Sequence, residues 1–268
     1  MSTLITSRQN GKVKQARSLV KRKNRTRHGQ YLVEGIHHVG QALDARAPIT
    51  FILYTPGLIT NEFSAGLLSQ AQEQRIECYA VREDVFNSIA EKDRPQGVLA
   101  VLDQHRRELG DHSPSDISWA VALVAPQDPG NVGTILRTMD AVGGEGLILL
   151  EGGVDPYHPT AVRASMGALF WIPIIEASFD EFSLWTSKYN YFVYGAAAQA
   201  NLDYRQAQYM QPGVLLMGSE QEGLTHDQMR ICEKVIRLPM AGHVSSLNVA
   251  VAAGILLFHI QEQSPGRA

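Results

Sequence analysis

Six apolar runs of strand length, near 119–124, 146–150, 170–174, 191–194, 213–217 and 235–238, most limit what this 268-residue chain can become. Each run is apolar at nearly every position rather than at every second one. Strands of that kind are buried on both faces, as in a parallel sheet covered by helices on either side. Helices fit the intervals, at 132–141, 160–168, 179–188 and 225–232. A longer apolar stretch, 246–260, falls short of the roughly 20 residues a membrane span needs, so it reads as a core helix. Ser245 or Ser246 is its expected N-cap, with Asn248 in the first turn. The fold class is therefore α/β with a mainly parallel sheet. Open sheets of this class bind ligands beyond the carboxyl ends of their strands.

Upstream, 31–103 alternates strands (near 31–33, 49–54, 78–81 and 97–102) with helices (36–45, 62–74 and 83–90), a smaller α/β unit. Between the two lies 104–118, polar and broken by Ser-Pro-Ser, which reads as a linker. The expected division is a basic arm at 1–30, a first domain at 31–103, the linker at 104–118 and a second domain at 119–268. The formal net charge of −3 hides a strong segregation. Residues 1–30 hold Arg8, Lys12, Lys14, Arg17, Lys21, Arg22, Lys23, Arg25 and Arg27 with no acidic residue, leaving 15 basic against 27 acidic residues in the remainder. Such an arm suits a polyanion, with a solvated terminus or an organellar transit peptide as alternatives. Asn10 can cap a short helix there, with Val13, Ala16 and Val20 on its apolar side. Cys78 and Cys232 fit no metal or redox spacing, and the nine histidines form no ligand set, so no metal is expected. Buried thiols and the lack of an apolar leader suit a reducing cytoplasm.

Three polar turns hold the chemistry. In 125–137 a strand runs into Asp128-Pro129-Gly130-Asn131, with Asn131 placed to cap a helix and Arg137 two turns on. Helix starts attract phosphate, and arginine grips it with a forked contact. The turn has neither the GxGxxG of a dinucleotide site nor the GK[ST] of a P-loop. The second turn, 215–224, delivers Gly218-Ser219-Glu220 and closes at Gly223. The third joins Leu238-Pro239-Met240 to Ser246-Leu247-Asn248.

Taken together and in this order, N-x-G-x-x-x-R (131–137), G-x-E-x-x-G-L (218–224), L-P-M (238–240) and S-L-N-V-A-x-A (246–252) resemble the SpoU class of RNA ribose 2′-O-methyltransferases, of the SPOUT superfamily. Arg163-Ala164-Ser165-Met166-Gly167-Ala168 is similar to that family's RxSxGA segment, and 1–103 resembles the L30e-like substrate-binding domain of its ribosomal-RNA branch. The resemblance implies a C-terminal trefoil knot, a topology that connection rules alone would reject. It implies S-adenosylmethionine held by the knot loops at Gly218, Leu238 and Leu247, with Ala196, Met217, Met240 and Ser246 as neighbours. It also implies a homodimer through the knot domain, and a substrate among RNAs, 23S ribosomal RNA before transfer RNA, with no membrane partner. Arg137 matches the family's catalytic arginine and an RNA contact, with Asn131, Glu220, Ser246 and Asn248 organising it. A guanidinium is a poor base, so Arg137 either takes the 2′-hydroxyl proton when activated by the target's phosphate, or positions that phosphate while another group takes the proton. An RNA-binding assembly factor that keeps the fold without turnover, and a nucleotide-dependent enzyme with another cofactor, are the other classes of reading.

Overall fold

The computed structural model describes residues 4–60, 62–90, 95–105 and 107–263. The chain forms two units, Met1–Gln104 with Tyr157–Phe170, and His105–Pro156 with Trp171–Ala268.

The first unit begins with the basic segment, which is helical. Asn10 caps α1 (Gly11–Ser18) by accepting from Lys12 N, and α2 (Arg22–His28) ends at Gly29, whose φ of 62° is the left-handed conformation glycine supplies freely. Val13, Ala16 and Leu19 are fully buried in a core with Phe51, Leu53, Leu99 and Val101. Val20 is instead exposed, because α1 stops at Ser18 and the turn beyond it points Leu19 inward. There follow β1 (Gln30–Glu34), α3 (Ile36–Asp44), β2 (Ile49–Tyr54), α4 (Glu62–Glu73), β3 (Cys78–Ala80), the single turn α5 (Glu83–Phe86) and β4 (Val98–Asp103). The sheet order is β1-β4-β2-β3, with β4 antiparallel to both neighbours and β2 parallel to β3.

The second unit starts earlier than the polar stretch suggests. Leu109 and Ile117, two apolar residues without periodicity, enter its core, and Trp185 Nε1 donates to the carbonyl of His112 at 2.9 Å. The supposed spacer is thus packed; Arg106 within it lies outside the described residues. Next come β5 (Trp119–Val124), α6 (Pro129–Val142) and β6 (Gly146–Leu150). The chain then returns to the first unit for α7 (Pro159–Ala164), which packs on β1 and leads into the RxSxGA segment at 163–168. There Gln41 Nε2 donates to the Met166 carbonyl at 2.7 Å.

Back in the second unit lie β7 (Ile174–Ala177), α8 (Phe179–Lys188), β8 (Phe192–Ala196), β9 (Leu202–Asp203), β10 (Gly213–Met217), α9 (His226–Arg230), β11 (Lys234–Arg237) and α10 (Val249–Gln263). The expected strand at 170–174 is displaced: Ala168–Phe170 is a 3-10 turn, and Pro173, which has no N–H to pair, precedes β7. All seven strands are parallel, in the order β7-β6-β5-β10-β8-β11-β9, and β5, β6 and β10 are buried throughout. Cys78 and Cys232 are free thiols. Burial pushes Cys78 up to about 11 and Cys232 up to about 12. Among the described residues no helix is long and apolar enough to cross a membrane.

Candidate active site

A parallel sheet brings every turn that follows a strand to one edge. Met217 at the end of β10 lies level with Ala196 of β8 and Leu123 of β5, and Ala196 with Ile236 of β11. The turns after β5, β8, β10 and β11 therefore share that edge.

The turn after β10 doubles back on itself. Ser219 and Gly223 exchange backbone hydrogen bonds of 3.2 and 3.0 Å, and Ser219 Oγ accepts from Glu222 N at 3.2 Å. A Cβ on Gly218 would stand 2.1 Å from the carbonyl carbon of Gly223, so no other residue fits without opening the loop.

Glu220 leaves this loop to hold the turn after β5. Its carboxylate accepts from Gln127 N (3.1 Å to Oε2, 3.3 Å to Oε1), from Asp128 N at 3.5 Å and from Asn131 Nδ2 at 3.3 Å. A carboxylate at the start of α6 also meets the positive end of its dipole. Asp128, not Asn131, caps that helix, accepting from Gly130 N at 2.7 Å with Pro129 following. Pro129 moves the helix start three residues upstream, which frees the Asn131 amide for a longer reach. Its Oδ1 accepts from Asn248 Nδ2 at 2.9 Å. Asn248 Oδ1 in turn accepts from Ala250 N at 2.9 Å and Val251 N at 3.3 Å, so Asn248 rather than Ser245 or Ser246 caps α10. Each hydrogen bond is worth about 1 kcal/mol, and those to a charge more. Three turns distant in sequence are locked by one carboxylate and two amides.

Beside this lock opens a cleft of about 460 Å³. Ala196, Met217, Gly218, Leu238, Met240, Ser246 and Leu247, all the expected cofactor contacts, line it, and Glu220 and Asn248 form part of its wall. Gln199, Gln221 and Glu222 line it as well and were not anticipated. Gln199 lies in the turn after β8, where 197–201 has neither glycine nor proline, and Gln221 and Glu222 occupy variable positions of the G-x-E-x-x-G pattern. Among the described residues no three His, Cys, Asp or Glu side chains are placed to hold a metal.

Arg137 stands apart. It is exposed on α6 and does not line the cleft; it has no hydrogen-bond or ion-pair partner among the described residues. Six residues of helix turn it about 120° around the axis from Asn131.

The basic segment in the first unit sorts into two groups. Arg25 is 1% exposed, with Nη1 donating to the carbonyls of Leu19 at 2.9 Å and Val20 at 2.7 Å. It closes the α1–α2 turn and cannot reach a polyanion, which corrects its expected role in RNA contact. Arg17 is half-buried and donates to the Arg8 carbonyl at 2.6 Å. Lys12 lies over the Phe51 ring at 4.5 Å and 3.7 Å from Glu77. Arg8, Lys14, Lys21, Arg22, Lys23 and Arg27 remain exposed.

The geometry describes a ligand cleft at the carboxyl edge of the sheet, and comparison with known proteins identifies the family. The SpoU rRNA Methylase family matches residues 118–258, more than half of the chain. The chain belongs to the SpoU rRNA methylase family. An MRM3-like substrate binding domain matches residues 10–100, so α1 and α2 fall inside that domain instead of forming a separate arm. This SpoU chain is 30% identical over 258 residues to the 23S rRNA (guanosine(2553)-2′-O)-methyltransferase RlmP of Bacillus subtilis (strain 168), covering 96% of this chain and 98% of that one. It is 30% identical over 272 residues to the 23S rRNA (uridine(2479)-2′-O)-methyltransferase of Streptomyces viridochromogenes, covering 98% and 93%. The AdoMet-bound rRNA methyltransferase from Sinorhizobium meliloti superposes with a TM-score of 0.87 at 34% identity, over 97% of this chain and 98% of that one.

Proposed function

We propose that this SpoU-family chain methylates a ribose 2′-hydroxyl of 23S ribosomal RNA, with S-adenosylmethionine bound in the cleft at the carboxyl edge of the second sheet. The observation that carries this reading is the Glu220–Asn131–Asn248 lock beside a cleft lined by every cofactor contact the resemblance nominates. The cleft suits the cofactor in kind. Its volume lies in the range of small-molecule sites, and Met217, Leu238, Leu247 and Leu256 offer apolar wall to an adenine ring. Gly218 clears the way for backbone groups to approach a ligand closely.

When bound, the cofactor supplies an electrophilic methyl group on a cationic sulfur. The chain's residues bring the ribose oxygen into line with it. Glu220, Asn131 and Asn248 fix the loops, so the approach costs little reorganisation. Arg137, free on α6, grips the phosphate of the target nucleotide, and the 2′-hydroxyl proton passes to that phosphate or to solvent as the methyl arrives. Lys14, Lys21, Lys23 and Arg27 in the first unit supply salt-sensitive affinity for the RNA backbone.

The reading extends to assembly. Val251, Ile255 and Phe258 form a stripe along α10 and are 52, 39 and 51% exposed. A second copy of the chain covers this stripe in a homodimer through the second unit, which sets the site beside a subunit interface. The C-terminal segment is a trefoil knot; insertion of β10 between β5 and β8, with β11 beyond, supports that threading. The protein works in the cytoplasm, where its substrate is made.

The test is transfer of labelled methyl from S-adenosylmethionine to unmodified 23S ribosomal RNA and, separately, to bulk transfer RNA. Label recovered as a 2′-O-methylnucleoside from ribosomal RNA alone is the expected result. Label on transfer RNA alone overturns the substrate, and no label on either RNA or on a ribosomal particle overturns the activity.

A further inference from the structure

Two carboxylates from one loop face the same cleft in opposite states. Glu220 has its oxygens engaged by Gln127 N, Asp128 N and Asn131 Nδ2. Its charge is absorbed by the start of α6. Glu222, two residues on, lines the cleft with its backbone N–H satisfied by Ser219 Oγ. Its exposed side chain has no donor or cation among the described residues. Among the described residues no lysine, arginine or histidine lines the cleft. Glu222 is therefore the uncompensated charge of a site otherwise built from apolar side chains, amides, hydroxyls and backbone.

Such a charge distinguishes two ligands that differ by one methyl group. S-adenosylmethionine carries a sulfonium and an ammonium against one carboxylate, a net positive charge. Loss of the methyl to the ribose oxygen leaves a neutral thioether in S-adenosylhomocysteine, with no net charge. A free carboxylate in a partly desolvated cleft attracts the first more than the second. We propose that Glu222 determines cofactor specificity as the counter-charge of the sulfonium, favouring the methyl donor over its spent product. The proposal rests on the assignment of this cleft to S-adenosylmethionine. Methyl transfer removes the partner of Glu222, so the residue holds the reagent and lets the product go.

The experiment is calorimetric titration of the full-length protein with S-adenosylmethionine and with S-adenosylhomocysteine, without RNA. In Glu222→Gln the ratio of the two affinities shifts toward the product by about fivefold or more. Raising the salt moves the wild-type ratio in the same direction and leaves the variant's nearly still. An unchanged ratio in Glu222→Gln overturns the proposal, whether the two affinities hold or fall together. Ala252→Phe, which fills the cleft from α10, tests the assignment underneath, with Ala198→Trp on the exposed turn after β8 as the substitute if the first variant melts early. Folded variants of either kind lose both ligands; if they bind both as the wild type does, the cleft is misassigned and the proposal falls with it.

Discussion

The two units carry their functional signals differently. In the first the signal is bulk charge, nine cations in thirty residues, and folding divides it: Arg25 is buried, Arg17 and Lys12 are half-committed to internal contacts, and six cations stay outside. In the second the signal is a handful of turn residues, and folding concentrates it: Asn131, Glu220 and Asn248, each ambiguous alone, meet within hydrogen-bonding distance. Charge counted along a chain says how much attraction is available, whereas residues fixed at strand ends say where a reaction can occur.

The largest effect belongs to the residue that fits this contrast least well. Arg137 matches a motif in the second unit, yet it is exposed and outside the cleft. Arg137→Ala should lower turnover by at least about a hundredfold while cofactor affinity stays within a few-fold, since the side chain acts on RNA. Near-normal turnover in a methyl-transfer assay would remove Arg137 from the chemistry and leave the lock residues without the group they are proposed to serve.

A middle-sized effect separates the two kinds of cation in the first unit. Arg25→Ala should destabilise that unit by about 2–3 kcal/mol in denaturant melts, because two carbonyls lose their charged donor and a cavity opens. Replacing Lys14, Lys21, Lys23 and Arg27 by glutamine should leave the melts unchanged. RNA affinity should then fall, with the log–log salt slope shallower by about 0.7 for each lost phosphate contact. Equal effects of both sets on salt slope would dissolve the distinction between structural and binding cations.

The smallest effect concerns the thiols, one in each unit. Burial raises Cys78 to about 11 and Cys232 to about 12 from an ordinary 9.0, so both stay protonated at pH 8. The thiolate is the reactive form, so alkylation at pH 8 should run about a hundredfold slower for Cys78 and about a thousandfold slower for Cys232 in native protein than in the unfolded chain. The sign for stability follows: the raised values favour the fold fully below the unfolded thiol's pKa, and that contribution is lost as pH climbs from about 9 toward 12. Fast native labelling of Cys232 at pH 8 would show that the strand-edge packing around Gly195 opens readily.

Much of this was legible in the sequence, and the misreadings share a cause. Continuous apolar runs gave the parallel sheet, because burial on both faces leaves no room for alternation. Asn10 marks a helix start that the structure keeps, and the helix expected over 179–188 forms with those bounds. Caps went astray where two candidates stood close together. Asp128 with Pro129 outcompetes Asn131, and Asn248 outcompetes the two serines before it, because tertiary bonds decide among local options of similar strength. The polar stretch at 104–118 hides Leu109 and Ile117, two core residues too far apart for a periodicity. Gln199, Gln221 and Glu222 could not be nominated, since a polar residue in a turn carries no mark of what it faces.

The bond between Asn131 and Asn248 spans 117 residues of chain, and Glu220 reaches back 93 to Gln127. Ribosomes deliver a polypeptide from its amino end, so β5 and α6 exist long before the groups that hold their turn in place. The donors around Gln127 wait through synthesis of β6, α7, α8 and β8, and the cleft cannot take its final form until α10 emerges. Contacts of such separation fold slowly. A chain interrupted anywhere before Asn248 lacks one side of the lock, which ties competence for cofactor to near-completion of this stretch of the message. An enzyme whose proposed substrate is ribosomal RNA would in this way be assembled last at the very place where it is meant to react.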